Sequence, residues 1–177
     1  MTRLQGPECE QEKRLTDMIR LYEKDILHMC YLYLHDIELA KDAVQDTFLK
    51  AYVHITHQQE PEKEKSWLVS IAVNVCRDYL RSSWIRYMDR FVQPENLPVA
   101  VSQPSEEHIF LTAAIMSLPP KYSEAIILRY IQGFDLQETA EALHITPSAV
   151  SRRCKKACRK LKIELEGDEI SNDGETN

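Results

Sequence analysis

The sequence predicts an all-helical protein built from two small domains. Only four of the 177 residues are Gly, and long stretches between the eight prolines lack both residue types, which disfavours sheet-rich folds with many turns. Apolar residues recur at alternating steps of three and four, as on the buried face of a helix. Three prolines in residues 91–105 interrupt this pattern, because proline does not fit a helix interior. We therefore expect a first domain at residues 1–90, a linker at 91–105, a second domain at 106–166 and an acidic disordered tail at 167–177.

The first domain is expected to hold three helices. The first covers about residues 12–34, the second follows a capping Asp36 and ends near Thr56, and the third covers about residues 66–90. A polar loop at residues 57–65 separates the second helix from the third. The inward stripes of the three helices are, in order, Leu15, Ile19, Tyr22, Ile26, Met29 and Tyr33; Val44, Phe48, Ala51 and Ile55; and Leu68, Ile71, Val75 and Tyr79.

Proline, glycine and capping residues divide the second domain into short helices. A helix that starts at Glu106 stops at Leu118, since the residue before a proline avoids helical geometry. A helix at residues 122–132 ends at Gly133, which can adopt the left-handed conformation. Asp135 with Glu138 forms a capping box, and the helix that follows carries an apolar stripe. That stripe consists of Leu136, Ala140 and Leu143.

The last helix begins at Thr146-Pro147, an N-cap followed by proline at the first helical position. Residues 152–162 contain seven basic residues and no acid. A short helix, a turn and a basic helix together predict a helix-turn-helix, in which arginines near the helix start reach guanine and lysines further along meet phosphates. His144 takes the left-handed position where the turn usually has Gly. A solvated basic helix on an unrelated bundle is the alternative. The predicted inward residues are Val150, Cys154, Ala157 and Leu161, and the outward ones are Ser148, Ser151, Arg152, Lys155, Lys156 and Arg159.

The net charge of -6 arises entirely in the last 14 residues of the chain, which include the acidic tail. Residues 164–177 hold six acids and no base, so the rest of the chain carries 22 acids and 22 bases. The tail is interpreted as a solubilising end, with electrostatic shielding of the basic helix as the alternative.

The second helix has an outward face that mixes acids with apolar side chains. Its members recur at helical spacing and are Asp42, Gln45, Asp46, Leu49 and Val53. Exposed apolar residues among polar ones suit a protein partner, although a solvated face would have a similar composition.

The third helix combines a polar row with arginines and aromatic residues. Asn74, Asp78 and Arg81 line up at steps of four and three, and Arg77, Trp84, Arg86, Tyr87 and Arg90 lie around and beyond them. Aromatic rings stack on unstacked bases and guanidinium groups hold phosphates, so this pattern suits single-stranded nucleic acid. Burial of Trp67 and Trp84 in the core is the alternative.

No enzyme motif, cofactor site or membrane segment is recognisable. There is no Gly-rich phosphate loop, and the longest apolar runs are far too short to span a bilayer, so a cytoplasmic protein without membrane insertion is expected. The five cysteines include no CxxC pair and are expected to be reduced. Cys154 and Cys158 are expected to be small packing residues; a metal-assisted activity that uses them with distant histidines is the enzyme alternative. We thus expect no catalytic residue and no metal.

Four segments in this order resemble bacterial extracytoplasmic-function (ECF) sigma factors, the smallest members of the sigma-70 family. They are DAVQDTFLKAY (residues 42–52), WLVSIAVNVCRDYLR (67–81), LPPKYSEAIILRYIQGFDLQETAEAL (118–143) and ITPSAVSRRCKKACRKLK (145–162). The sequence departs from the family pattern at Ser70, Ala149 and His144, where arginine, threonine and glycine are common. The departures bear on which promoter is read.

The resemblance implies a protein that binds core RNA polymerase and directs it to promoters. Polymerase binding, at the clamp helices of the largest subunit, would use Asp42, Gln45, Asp46 and Leu49. Recognition of the -10 element and its melted strand would use Trp67, Asn74, Arg77, Asp78 and Arg81, with a flipped base received by the loop at residues 57–65. Recognition of the -35 element would use Ser148, Ser151, Arg152, Arg153 and Lys156, while the rest of that domain meets the polymerase flap. Control by an anti-sigma factor, often membrane-anchored, is also implied. An ordinary helix-turn-helix regulator that works without polymerase is the alternative.

Overall fold

The computed structural model describes the backbone of residues 7–57, 61, 63–82 and 106–172, and the side chains of residues 10–56, 61, 63–82 and 109–162. Every regular element in these ranges is helical, which confirms the predicted all-helical fold. The chain divides into two compact units, residues 1–89 and 90–177. None of the described helices is both long and apolar enough to cross a membrane.

The first unit is a three-helix bundle of α1 (Pro7–Leu34), α2 (Ile37–His57) and α3 (Glu64–Arg81). Each helix packs against the other two. The central side chains include Ile26, Met29, Leu68 and Val73, all 0 to 1% exposed. The chain reverses after α1 at His35, whose φ of 60° is left-handed. The predicted cap of α2 is confirmed, because Asp36 Oδ1 accepts hydrogen bonds from the backbone N–H groups of Glu38 and Leu39 at 2.8 and 2.9 Å.

Helix α3 is shorter than the sequence predicts. It begins at Glu64 and ends at Arg81, whereas the prediction continued to residue 90. Ser82 is extended, with φ -60° and ψ 133°. Its hydroxyl donates to the carbonyl of Tyr79 at 2.9 Å, a local bond by which serine competes with helix continuation. Trp84, Arg86, Tyr87, Arg90 and the linker at 91–105 lie outside the described residues.

The second unit contains α4 (Glu106–Ser117), α5 (Pro120–Ile126), α6 (Leu136–Leu143) and α7 (Pro147–Asn172). The predicted stop at Leu118 is confirmed. The structure differs from the predicted helix at residues 122–132 in two ways. Helix α5 begins earlier, at Pro120, because proline at the first helical position loses no hydrogen bond. A π-helical turn at Ile127–Ile131 then follows α5. Gly133 has φ +73°, which confirms its left-handed role.

A helix-turn-helix is formed by α6 and α7. Asp135 and Glu138 make the predicted capping box, with N–H to carboxylate distances of 2.8 and 3.0 Å. His144 is left-handed with φ 55°, and the following N–H of Ile145 donates to the carbonyl of Ala140 at 3.0 Å. Thr146 caps α7 by accepting from the N–H of Ala149 at 3.2 Å.

The core of this motif comprises Ala125, Ala140, Val150 and Cys154, with Ile145 packed against it. All four predicted inward residues of α7 are buried. Leu136 was predicted to lie on the buried face of α6, but it is 39% exposed. It is the first residue of the helix, at the end of its packed face.

Helix α7 also extends further than predicted. Residues 167–172, assigned from composition to a disordered tail, have helical backbone. Gly167, Asp168 and Asn172 are weak helix formers, but an already formed helix can be extended without a new nucleation step. Residues 173–177 lie outside the described part of the chain.

Replacing His144 by glycine is expected to stabilise the protein. A side chain in the left-handed region costs more than the additional chain entropy of unfolded glycine, so the free energy of unfolding should rise by about 0.5 kcal/mol. Urea unfolding of His144→Gly measures this. His144→Ala keeps the strained Cβ and should not stabilise. A destabilised glycine variant would show instead that the imidazole contributes a favourable contact.

Candidate nucleic-acid and protein-binding interfaces

Helix α2 presents an exposed face of mixed polarity, which we call the α2 face: Asp42, Gln45, Asp46, Leu49 and Val53. Leu49 is 62% exposed and Val53 is 52% exposed. They lie four residues apart, one helical turn, so their side chains are neighbours. Asp42 and Gln45 are also exposed, on the preceding turns. The face therefore offers apolar area beside a carboxylate and an amide, a composition suited to protein binding.

Asp46 differs from the rest of the α2 face because it is half-buried and already bonded within the protein. The Tyr79 hydroxyl of α3 donates a hydrogen bond to Asp46 Oδ2 at 2.9 Å. Burial and this bond to the carboxylate raise the pKa of Tyr79 to about 12. The bond joins α2 to α3 and restricts the orientation of the Asp46 carboxylate.

Removal of this bond is expected to cost stability in a pH-dependent way. Tyr79→Phe should lower the free energy of unfolding by about 1 kcal/mol at neutral pH. Because the folded-state pKa of Tyr79 is raised, its contribution is present below about pH 10, the ordinary tyrosine value. It is lost as the pH rises through about 12.

Urea unfolding between pH 7 and pH 11 tests this dependence. The difference between wild type and Tyr79→Phe should shrink toward the alkaline end. Tyr52→Phe removes a hydroxyl from the same unit without removing either member of the Asp46–Tyr79 pair, and serves as the matched control. A Tyr79→Phe difference that is constant with pH would contradict the assignment.

The outer face of α3 carries the polar row that the sequence predicts. Asn74, Asp78 and Arg81 are exposed, and Arg77 is partly exposed. The carboxylate of Asp78 lies 3.7 Å from Lys50 Nζ of α2 and 3.7 Å from an Arg81 guanidinium nitrogen. Such exposed pairs add little to stability. They do hold two cations close together at the surface, where both can meet phosphates.

A surface cavity of about 270 Å³ lies between α2 and α3. It is lined by Lys50, His54, Trp67, Ile71 and Asn74. The rings of His54 and Trp67 stack with their centroids 5.7 Å apart and their planes at 23°. The cavity therefore combines an aromatic stack, an apolar wall, a cation and an amide, the groups that bind an unstacked base.

Two of these five residues, Trp67 and Asn74, are among the sequence-predicted site residues. Lys50 and His54 were missed. Their separation of four residues places them on the same face of α2. This spacing alone does not indicate a cavity, which forms only because α3 packs beside that face. Trp67 is partly exposed rather than fully buried, as its position at the cavity wall requires.

On α7, four of the five predicted residues share one accessible side. Ser148, Arg152 and Lys156 are exposed at intervals of one turn, and Ser151 is partly exposed beside them. Ser148 Oγ lies 3.0 Å from Thr146 Oγ1, near the start of the helix. Arg153 departs from this group: its side chain is 26% exposed, and one guanidinium nitrogen lies 3.8 Å from Glu124 Oε2 of α5.

Of the two cysteines expected to be small packing residues, Cys154 is buried and Cys158 is not. Cys30 and Cys76 are also buried, while Cys158 is exposed. Cys158 lies four residues from Cys154 on α7, among exposed basic residues. Within the described side chains, no three His, Cys, Asp or Glu groups come together as metal ligands.

Comparison with known protein families identifies both units. Residues 18–85 match the model of sigma-70 region 2, and residues 111–161 match that of sigma-70 region 4. The chain belongs to the sigma-70 family. The chain is 28% identical to the ECF RNA polymerase sigma factor SigW of Bacillus subtilis, over 84% of this chain and 87% of that protein. It is 29% identical to the RNA polymerase sigma factor SigV of Bacillus subtilis, over 89% of this chain and 94% of the relative. These relatives place it among the ECF sigma factors.

Two solved structures share the fold of this ECF sigma factor. CnrH in complex with the cytosolic domain of CnrY has a TM-score of 0.67 at 22% identity, covering 89% of this chain and 90% of that one. RpoE in complex with the anti-sigma factor NepR from Bartonella quintana has a TM-score of 0.71 at 21% identity, covering 87% and 98%. The family consists of transcription regulators. The region 2 match contains the α2 face and the cavity, and the region 4 match contains the helix-turn-helix.

Proposed function

We propose that this ECF sigma factor binds core RNA polymerase through the α2 face, reads the -10 element with α2 and α3, and reads the -35 element with α7. The cavity between α2 and α3 carries the proposal. A regulator of intact duplex DNA needs only a helix for the groove, whereas an unstacked base needs an aromatic platform with a cation beside it.

The α2 face is the proposed site for the clamp helices of the polymerase largest subunit. Leu49 supplies a protruding apolar anchor, and Asp42 and Gln45 supply polar contacts at its edge. Asp46, held by Tyr79, presents its carboxylate in one orientation. In the second unit, exposed apolar residues are the proposed contacts for the polymerase flap. They are Phe110, Leu111 and Tyr130, which are 58%, 39% and 61% exposed.

The -10 element is proposed to deliver an unstacked base to the cavity. Extraction of a base costs a few kcal/mol of stacking and pairing, and stacking on a protein ring returns about 1–3 kcal/mol. Trp67 and His54 supply the stack, and Asn74 supplies an amide for the base edge. Lys50, Arg77 and Arg81 are placed for the adjoining phosphates. The loop at residues 57–65, part of which lies outside the described residues, remains a second predicted location for a flipped base.

The -35 element is proposed to bind the exposed side of α7. Arg152, in the second turn, is positioned to form the two hydrogen bonds that an arginine makes with guanine O6 and N7. Ser148 and Ser151 lie beside it and can donate to bases or phosphates. Lys156 and the following lysines and arginine are further along the helix, where phosphates are the expected partners.

Control by a protein inhibitor is part of the proposal. The two similar solved structures named above each contain a second protein, the cytosolic domain of CnrY in one and the anti-sigma factor NepR in the other. A partner that covers the α2 face of this chain would exclude polymerase, because Leu49 could not be buried in both complexes at once. We place the sigma factor in the cytoplasm, where polymerase acts, and assign any membrane anchor to the inhibitor.

Run-off transcription with core polymerase tests the proposed function. Core enzyme with and without the protein is supplied with fragmented DNA from the source organism, and the start sites are mapped. Discrete starts that require the protein are expected, with shared -35 and -10 sequences upstream. Duplex binding without polymerase, together with no new starts, would favour the simple helix-turn-helix regulator and overturn the proposal.

A further inference from the structure

An ion pair with a nearly buried acid links α5 to α7. The side chain of Glu124 is 12% exposed and that of Arg153 is 26% exposed, and their charged atoms approach to 3.8 Å. A buried carboxylate is costly unless a cation accompanies it. Arg153 meets that requirement from a helix whose other side faces solvent.

The pair lies at the join between α5 and the helix-turn-helix. The next residue in each helix, Ala125 and Cys154, belongs to the buried core of this unit. The thiol of Cys154 also donates to the carbonyl of Ala125, with sulfur and oxygen 3.8 Å apart. Apolar packing brings α5 and α7 together. The charge pair beside it adds a directional contact between the two helices, of the kind by which buried charges can specify one arrangement.

The orientation of Arg153 also separates it from the base-reading group. An arginine reads guanine through a free, planar fork of donors. In this structure the Arg153 fork is directed toward α5, whereas Arg152 and Lys156 are exposed.

We propose that Arg153 is a positioning residue which, paired with Glu124, fixes the rotation of α7, and that it does not itself read the -35 element. This rests on the proposed function of α7. The accessible residues Ser148, Ser151, Arg152 and Lys156 then carry recognition. Glu124 influences promoter specificity although it lies on α5, outside the helix-turn-helix.

Glu124→Gln tests the proposal, because a general electrostatic effect of Glu124 and a positioning role predict changes of DNA affinity in opposite directions. Removal of a negative charge strengthens nonspecific attraction to phosphates. If α7 loses its fixed rotation, however, specific binding must fall. We expect the ratio of specific to nonspecific affinity to drop roughly tenfold, a typical coupling between contacting residues. Holoenzyme is measured on the promoter fragment mapped by run-off transcription and on an unrelated duplex.

Glu141→Gln is the matched control. Glu141 is exposed on α6 and its substitution changes the charge equally, so the ratio should stay within about twofold of wild type. Circular dichroism and thermal melting establish that each variant is folded. A wild-type holoenzyme with no promoter preference would refute the proposed function itself, whereas a wild-type preference that Glu124→Gln leaves unchanged would overturn the positioning role alone.

Two variants of Arg153 give an independent answer. Arg153→Lys keeps a cation beside Glu124, so its ratio of specific to nonspecific affinity should stay within about threefold of wild type. Arg153→Gln removes the cation, and its ratio should fall. The double variant with Glu124→Gln should show no further fall, because the two residues act as a pair. A direct phosphate contact would instead lower the salt-dependence slope of binding by about one in Arg153→Gln. Two results would overturn the proposal. One is a loss of preference for a particular base in Arg153→Lys, and the other is a lower salt-dependence slope in Arg153→Gln. If Glu124→Gln fails to fold, the affinity ratio of Arg153→Lys and the salt dependence of Arg153→Gln still decide between the two roles.

Discussion

Substitution of Leu49 by aspartate is expected to weaken binding to core RNA polymerase at least about 30-fold, the effect of losing one central anchor of an interface. Leu49 is 62% exposed, so the variant loses little packing within the unit and should fold. In a complex the new carboxylate would be buried without a cation or would keep the surfaces apart. Binding of labelled protein to core enzyme measures the loss, and run-off transcription should fall with it.

Leu21 offers a matched control for this experiment. It is 66% exposed on α1, outside the α2 face, and Leu21→Asp makes the same chemical change. Its affinity for polymerase should remain near that of wild type. Equal losses in the two variants would show that Leu49→Asp acts through solubility or stability, and unchanged affinity in Leu49→Asp would place the polymerase on another surface.

Substitution of Arg152 by alanine is expected to reduce promoter binding roughly 5- to 150-fold and to relax preference at one base pair of the -35 element. The range corresponds to about 1–3 kcal/mol for a two-bond contact with guanine. Arg152 is exposed on α7, so truncation should leave the helix-turn-helix intact. Selection of bound sequences from a randomised -35 element reports both the position and the degree of relaxation.

Lys156→Ala supplies the contrast. Loss of a phosphate contact weakens binding by a similar factor on all sequences and lowers the salt-dependence slope by about one. Arg152→Ala should therefore change the sequence preference, and Lys156→Ala the salt dependence. If Arg152→Ala weakened every -35 sequence equally, Arg152 would be a phosphate contact and base reading would have to reside in the serines.

The features that local chemistry determines were predictable from the sequence. Asp36, the Asp135–Glu138 capping box and Thr146-Pro147 mark helix starts because the bonds involved span only a few residues. Gly133 and His144 were assigned left-handed positions for the same reason. The apolar stripes identified the buried faces, since burial follows from helical periodicity once the elements are known.

Features that depend on contacts between helices were not predictable. The cavity requires Lys50 and His54 of α2 to lie beside α3, and their spacing alone does not show it. The pairing of Arg153 with Glu124 depends on which side of α7 meets α5, so the sequence grouped Arg153 with its exposed neighbour. The end of α3 at Arg81 falls where the sequence pattern shows no stop signal, and the Ser82 hydroxyl bond to Tyr79 became visible only in the structure.

Two separate cores in one chain have a consequence for how promoters are held and released. Each unit is compact by itself and is covalently joined to the other. Once one unit is bound, the tether makes the second binding event intramolecular, and linkage of this kind raises overall avidity by roughly 100- to 10,000-fold where both sites can be reached. The individual contacts can then remain weak. A complex held by two weak contacts dissociates in two steps. A polymerase that leaves the promoter therefore breaks one contact at a time and never both at once.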